Sequence, residues 1–141
     1  MNELLPADAA AHGAPSYVQE VLEFLTVEGF RPFIDEDGDV LFKFEGSTYG
    51  VLVGHGDPSF LNLMYLPFWT LDDAAERARA HEAAAYVQGR MKVGRILVLA
   101  DSVAADVTCY LPSDDAWRAV LFRHLGGLQA LVGEFRRQMR A

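Results

Sequence analysis

The feature that most constrains this chain is the apolar run at residues 60–69, in which Asn62 is the one hydrophilic side chain. A strand points alternate side chains to opposite faces of its sheet, so a strand here would be apolar on both faces. Leu61, Leu63 and Tyr65 would share one face, and Phe60, Met64 and Leu66 the other. The run therefore predicts a central strand with two covers. The chain's own helices would cover one side, and a second layer, a second copy or a partner protein the other.

The length and composition predict one globular domain outside the membrane. With 141 residues, 51% of them hydrophobic and 23% charged, the chain can bury a single core and is too short for two ordinary domains. No apolar run reaches the roughly 18–20 residues that a membrane helix needs. The N-terminus starts acidic and lacks the basic and apolar regions of a secretory signal, so a cytoplasmic location is expected.

The charge is strongly acidic: twenty acidic residues against twelve basic ones give a net charge of −8 and an isoelectric point near 4.8. Nucleic-acid binding normally needs a basic stripe, and the nearest candidate is Arg136, Arg137 and Arg140 at the C-terminus. Arginines in a last helical turn more often complement the helix dipole. The charge therefore predicts no direct nucleic-acid binding and favours a basic protein as the partner.

The N-terminal part divides into an arm and a helix. Residues 1–15 lack a sustained apolar period and contain two prolines and a glycine, so they are expected to form a flexible arm outside a domain of residues 16–141. Ser16 is placed as the N-cap of a helix over residues 17–28. Gly29 would end this helix, because glycine readily adopts the left-handed conformation of a helix exit.

Two further helices are predicted. Thr70 with Asp73 resembles a capping box and opens an alanine-rich helix that runs to about Gln88. Residues 112–115 would cap the last helix, which has the cleanest helical period of the chain. Its apolar series is Trp117, Val120, Leu121, Leu125, Leu128, Leu131, Val132, Phe135 and Met139.

A glycine pair interrupts the last helix. Gly126 and Gly127 each cost about 1 kcal/mol of helix stability relative to alanine. Either the helix kinks there or another segment packs closely against it. Gly126, Gly127 and Leu128 are therefore candidates for a dimer contact or for close packing.

Six runs with strand character complete the pattern, at residues 31–35, 40–45, 49–53, 60–69, 96–100 and 106–111. Pro67 predicts a bend or an exposed edge near the end of the fourth run. The resulting order is α-β-β-β-β-α-β-β-α. It predicts an α+β fold with an antiparallel sheet of about five strands and helices packed on one face.

The turn at residues 35–39 alternates aspartates, as a calcium loop does. An EF-hand needs its glycine at the sixth position and a glutamate at the twelfth, whereas here Gly38 is fourth and Gly46 is twelfth. The Asp37-Gly38 step is instead typical of a hairpin turn. The spacing favours the hairpin over a metal site.

Signatures of catalysis are absent from the sequence. His81-Glu82 is followed by alanines, which excludes the HExxH pattern of a zinc protease, and neither a Gly-x-Ser-x-Gly elbow nor a phosphate-binding glycine loop occurs. Cys109 is the single cysteine, so no intramolecular disulfide can form, and its strand-like surroundings indicate a buried inert thiol. We expect no cofactor and no enzyme activity. The alternative is a small-molecule or enzymatic site at the loop of His55 and Asp57, although Gly-His-Gly-Asp-Pro is also good turn chemistry.

The chain resembles the YbjN family of bacterial proteins over most of its length. The residues that carry the resemblance are the helix and its exit at 21–30, the hairpin at 37–40, the Gly94-Arg95 step, and Leu111-Pro112 before the last helix. The family fold is similar to that of the class I chaperones of type III secretion, which are small, acidic and dimeric and bind a partner polypeptide. The resemblance thus implies a non-enzymatic, chaperone-like binding protein that forms a homodimer.

These arguments predict a client-binding surface on the sheet. Aromatic and methionine side chains are enriched where protein interfaces are strongest, so Phe42, Phe44, Met64 and Tyr65 are the candidate anchors for a basic protein client. The function expected from the sequence is protein binding.

Overall fold

The fold is a six-stranded antiparallel sheet with three helices, in a computed structural model that describes residues 7–53 and 56–141, with side chains described from Tyr17 onward. In chain order the elements are α1 (Ala7–Val27), β1 (Phe33–Ile34), β2 (Val40–Phe44), β3 (Ser47–Val51), β4 (Phe60–Thr70), α2 (Ala74–Gln88), β5 (Arg95–Val98), β6 (Ser102–Tyr110) and α3 (Trp117–Arg140). The strands lie in the order β1-β2-β3-β4-β6-β5. The predicted α+β class and element order are confirmed, with six strands rather than about five.

β4 lies inside the sheet between β3 and β6, as its apolar sequence predicts. Leu61 and Leu63 are fully buried and Tyr65 is nearly so, while Phe60, Met64 and Leu66 are half-buried. The buried set belongs to one core with side chains of all three helices, including Leu25 of α1, Val87 of α2 and Leu131 of α3. The two-face alternation predicted for this strand is therefore confirmed, because only one of its faces packs against helices.

The same alternation runs through the neighbouring strands. We call the side of the sheet that points away from the core the open face. Its large apolar side chains are Leu41, Leu52, Phe60, Met64, Leu66 and Leu97, all half-buried. Each of them lies next to a residue whose side chain enters the core, which is why the sheet has one covered and one open side.

A β-bulge lies at Pro67, where the sequence predicts a bend. The pairing of β4 with β6 shifts between Tyr65 and Trp69. Beyond the shift, the rings of Phe68 and Trp69 meet Phe135 of α3 edge-on, with centroids 5.8 and 6.2 Å away. The bulge thus turns the end of β4 toward the last helix.

The starts of two helices differ from their predicted positions. α1 begins at Ala7, so Ser16 lies inside it and is not its N-cap. The alanines of this segment have the highest helix propensity of any residue, which the prediction of an arm undervalued. Residues 1–6 of the predicted arm lie outside the described residues. α3 begins at Trp117 with no side-chain cap at Ala116, because residues 113–115 form a preceding turn instead.

The second helix is capped by Asp73 rather than by Thr70, which is the last residue of β4. The Asp73 carboxylate accepts a hydrogen bond from the Glu76 backbone N–H at 2.8 Å. In return the Glu76 carboxylate accepts from the Asp72 backbone N–H and from the Trp69 indole, and these bonds lower the pKa of Glu76. The predicted capping chemistry is present, shifted by three residues.

The last hairpin is tighter than predicted. The Leu99 backbone N–H donates to the Ser102 carbonyl at 2.8 Å, and β6 starts at Ser102 rather than at Asp106. Four residues of the predicted turn, 102–105, are therefore paired strand residues. At the other edge of the sheet, β1 contains only Phe33 and Ile34, whereas the predicted strand covered residues 31–35.

We expect this domain to lose stability at alkaline pH through Tyr17. Burial, with a smaller contribution from Asp57, raises the pKa of Tyr17 from 10.0 to about 12. The unfolded chain therefore releases this proton at lower pH than the folded one, so stability falls as pH rises between those values, by on the order of 2 kcal/mol. Urea unfolding at about pH 9 and about pH 11.5 measures the loss. Tyr17→Phe should lose less over this interval; an equal loss in parent and variant would contradict the assignment.

Candidate functional site

The centre of the open face is a row of five residues aligned by strand pairing. Leu41, Gly50, Met64, Asp106 and Arg95 are neighbours across β2, β3, β4, β6 and β5. A Cβ at Gly50 would lie 2.8 Å from a methyl of Leu41 and 3.4 Å from methyls of Leu52 and Leu66. The glycine thus lets three leucines close over the sheet, and with Met64 they form a continuous apolar surface.

The charges in this row neutralise each other. Asp106 is 3% exposed, and its carboxylate accepts two hydrogen bonds from the Arg95 guanidinium, at 2.7 and 3.1 Å. This bidentate contact raises the pKa of Arg95. The middle of the open face therefore carries no net charge, although the chain as a whole carries −8.

One polar side chain of the open face is incompletely satisfied. Asn62 lies beside Thr108 of β6, and its Oδ1 is buried without a hydrogen-bond partner in the part of the chain that the structure describes. A buried acceptor without a donor costs about 1–3 kcal/mol.

Aromatic side chains extend the open face at one end. Tyr110, at the end of β6, is 85% exposed and lies against Phe60 with ring centroids 5.5 Å apart. Phe33, paired with Leu41 at the edge of the sheet, is 49% exposed. Large exposed rings beside a half-buried apolar sheet are typical of an interaction surface.

The four predicted anchors are not on one surface. Phe42 and Tyr65 are buried in the core, so their prediction as partner-binding residues is wrong. Phe44 is half-buried on the helix side, where its ring lies 5.6 Å from that of Phe30. Met64 lies on the open face. Strand alternation already shows that Met64 and Tyr65 cannot both face outward, whereas choosing the open side requires the helix positions.

Some open-face residues were missed from the sequence. They lie near the ends of strands: Leu41, Leu52, Leu97 and Tyr110. The same two-residue alternation would have indicated these residues, but their strands are too short for the alternation to be clear.

The glycine pair of α3 does not mark close packing within the chain. The helix continues through Gly126 and Gly127, and apart from their chain neighbours and the nearby helix backbone no described atom lies within 4 Å of a Cβ built at either. Leu128 is fully buried in the core. The prediction of close packing is wrong for both glycines, and their role at a dimer contact stays a prediction.

The alternative site at the His55 loop is described in part. His55 itself lies outside the described residues. The Asp57 carboxylate accepts a hydrogen bond from the Ser59 backbone N–H at 2.9 Å, and the Asp57 carbonyl accepts from Phe60 N–H. These are the bonds of a turn. They give Asp57 a structural role at the entry to β4.

Other polar clusters have local roles. In the 35–39 turn, the Asp35 carboxylate accepts from the N–H groups of Asp37 and Asp39, and the Asp39 carboxylate accepts from Val53 N–H. No group of three possible metal ligands occurs among the described residues. Cys109 is half-buried, and burial raises the pKa of its thiol, which disfavours the reactive thiolate. Of the helices described, none has both the length and the apolar character to cross a membrane.

Comparison with known proteins leaves the open face as the main basis for a function. No family model and no curated protein sequence matches this chain. The YbjN-like assignment therefore stays a prediction from the residues named above. What the geometry offers is a half-buried apolar sheet face with a neutralised centre.

Proposed function

We propose that this protein is a non-enzymatic binding module, a YbjN-like regulator or chaperone-like adaptor that holds another bacterial protein in the cytoplasm. The observation that carries the proposal is the open face, whose six large apolar side chains lie outside the core. A contiguous exposed apolar surface of this kind typically marks a site of interaction with another protein. The partner lies flat on the sheet, over the row that contains Met64.

The anchors of this contact are Met64, at the centre, and Tyr110, at the end. Met64 is adaptable and polarizable, which suits a surface that accepts an extended segment of another chain. Tyr110 offers a large ring and a hydroxyl on the same side of the sheet.

The acidic turn at residues 35–39 supports a basic client. It connects β1 to β2 at the end of the sheet where β4 begins and β6 ends. Four acidic side chains there border an apolar centre without net charge. Apolar contact then supplies most of the affinity, while the border steers a positively charged partner toward the face.

The test is affinity capture of the tagged full chain from its own cells. Met64→Lys puts a charge in the middle of the face, and Ala130→Lys puts the same charge on the exposed side of α3 as a matched control. A client should co-purify with the parent and with Ala130→Lys. Its affinity for Met64→Lys should fall by about tenfold or more, because a desolvated charge at an interface centre is costly. Association should slow as salt rises.

Equal capture by both variants would remove the open face as the site. Light scattering tests whether the open face is covered by a second copy of this chain instead of a client. The resemblance implies a homodimer, and a mass near twice 15.6 kDa that falls to 15.6 kDa in Met64→Lys would place the second copy on this face. A dimer that survives Met64→Lys would use another surface and leave the client proposal intact.

A further inference from the structure

A second concave surface lies beside the β-bulge, at the opposite end of β4 from Tyr110. It is an open cleft of about 420 Å³. Its lining includes Ser47, Thr48, Leu66, Pro67, Phe68 and Arg136. These side chains carry one positive charge and no negative charge, in a chain whose net charge is −8. The cleft is therefore a local exception to the acidic surface.

Arg136 supplies that positive charge. Its guanidinium lies 5.2 Å from the centre of the Phe68 ring and 5.9 Å from that of Tyr65. In the described part of the chain the ion pairs are made by Arg95, Arg118 and Arg137, and no carboxylate lies within pairing distance of Arg136. Aromatic rings thus hold this cation in place without neutralising it.

A chain of hydroxyl groups continues from Arg136. The guanidinium donates to the Tyr65 oxygen at 3.4 Å, and this oxygen lies 2.7 Å from the Ser47 hydroxyl. Either hydroxyl can donate in the bond between Tyr65 and Ser47. When Tyr65 donates, the Ser47 proton is free to donate into the cleft. Arg136 and Ser47 therefore both offer donors to the cleft. Both are hydrogen-bonded to the hydroxyl of Tyr65, a residue that is only 5% exposed.

We propose that this cleft binds a carboxylate attached to a small apolar body. A guanidinium binds an acceptor most strongly when the acceptor is ionised, and its planar fork matches the two oxygens of a carboxylate. Leu66, Pro67 and Phe68 give the opposite wall an apolar surface. Glu45 lines an adjacent cavity of about 220 Å³ that also reaches Ser47, Tyr65 and Arg136, and its carboxylate accepts a hydrogen bond from Gln129. Of the six side chains that define the open face, this cleft shares Leu66.

The experiment is an NMR titration of the full chain with butyrate, butyramide and inorganic phosphate at constant ionic strength. Butyrate should shift the backbone amides of Ser47, Thr48 and Phe68 saturably in the millimolar range, about −4 kcal/mol of binding free energy. Butyramide, which has the same body without the charge, should bind about tenfold more weakly or not at all. Equal shifts with butyramide, or tighter binding of phosphate, would overturn the carboxylate assignment.

Two arginine variants test the role of the guanidinium. Arg136→Gln should weaken butyrate binding about tenfold. Arg137→Gln removes the neighbouring arginine, which is 68% exposed and paired with Glu134, and should bind as the parent does. If Arg136→Gln does not fold, Ser47→Ala takes its place, with a loss of about threefold or more for one hydrogen bond. Unchanged binding in the folded variant contradicts the proposal.

Discussion

Lysine in place of Leu63 is expected to unfold the domain, whereas lysine in place of Met64 should leave it folded. Leu63 is fully buried beneath the helices, so its replacement removes apolar contacts and places an unpaired charge in the core. That costs at least about 4 kcal/mol, a large part of the 5–15 kcal/mol that stabilises a typical domain. Met64 is half-buried on the open face, where a lysine stem can lie along the sheet with its charge in water.

Circular dichroism and thermal unfolding of the two variants measure this difference. The two positions are adjacent in one strand and receive the same side chain, so each controls for the other. Comparable destabilisation in both would mean that a layer also covers the open face in the isolated chain, and the proposed function would lose its surface. If both variants fold with native stability, the assignment of the covered face is wrong.

Phe135→Ala is expected to cost about 3–5 kcal/mol and to lower the melting temperature by about 10–20 °C. Phe135 of α3 is fully buried, and two rings from the end of β4, Phe68 and Trp69, meet it edge-on. Removing it leaves a cavity that these rings can fill only if the bulge moves. The melting temperature should therefore fall together with the millimolar affinity for butyrate, since Phe68 also lines the Arg136 cleft.

Phe33→Ala is the matched control for this loss. Phe33 is half-exposed at the edge of the sheet, and its truncation should change stability by less than about 1 kcal/mol. A Phe135→Ala protein that melts like Phe33→Ala would show that α3 does not pin the bulge. The cleft would then owe its shape to Pro67 and the strand alone.

Local periodicity determined much of this fold in advance. The alternation at residues 60–69 predicted a central strand with two apolar faces, and the helical period after Trp117 predicted the buried side of α3. Eight of the nine predicted apolar residues of α3 are buried, and Val120 is half-buried. Such patterns are readable because each side chain's direction follows from the backbone within two to four residues. Helix starts were harder to predict. α1 begins ten residues before its predicted start, because an alanine run has no distinct apolar face that would indicate a helix.

The open face could be read only in part from the sequence. The two-residue period separates Met64 from Tyr65 without saying which of them the helices cover. That choice depends on tertiary contacts between Leu63 and the helices, so the sequence also indicates Phe42 and Tyr65 as anchors although both are core residues. The lack of net charge at the centre of the open face also follows from the fold, since strand pairing places Arg95 of β5 beside Asp106 of β6.

The Arg136 cleft was decided by the tertiary structure. In the sequence, Arg136 is one of several C-terminal arginines, typical of a helix end facing solvent. The fold gives it a different environment from Arg137, because Tyr65 lies 71 residues away in the chain and Ser47 a further 18. The Tyr65 hydroxyl meets both the guanidinium and the Ser47 hydroxyl where the bulge turns β4 toward α3. The sequence by itself determines which faces are apolar, through the period of each element, whereas packing alone decides which face stays open and which side chains surround Arg136.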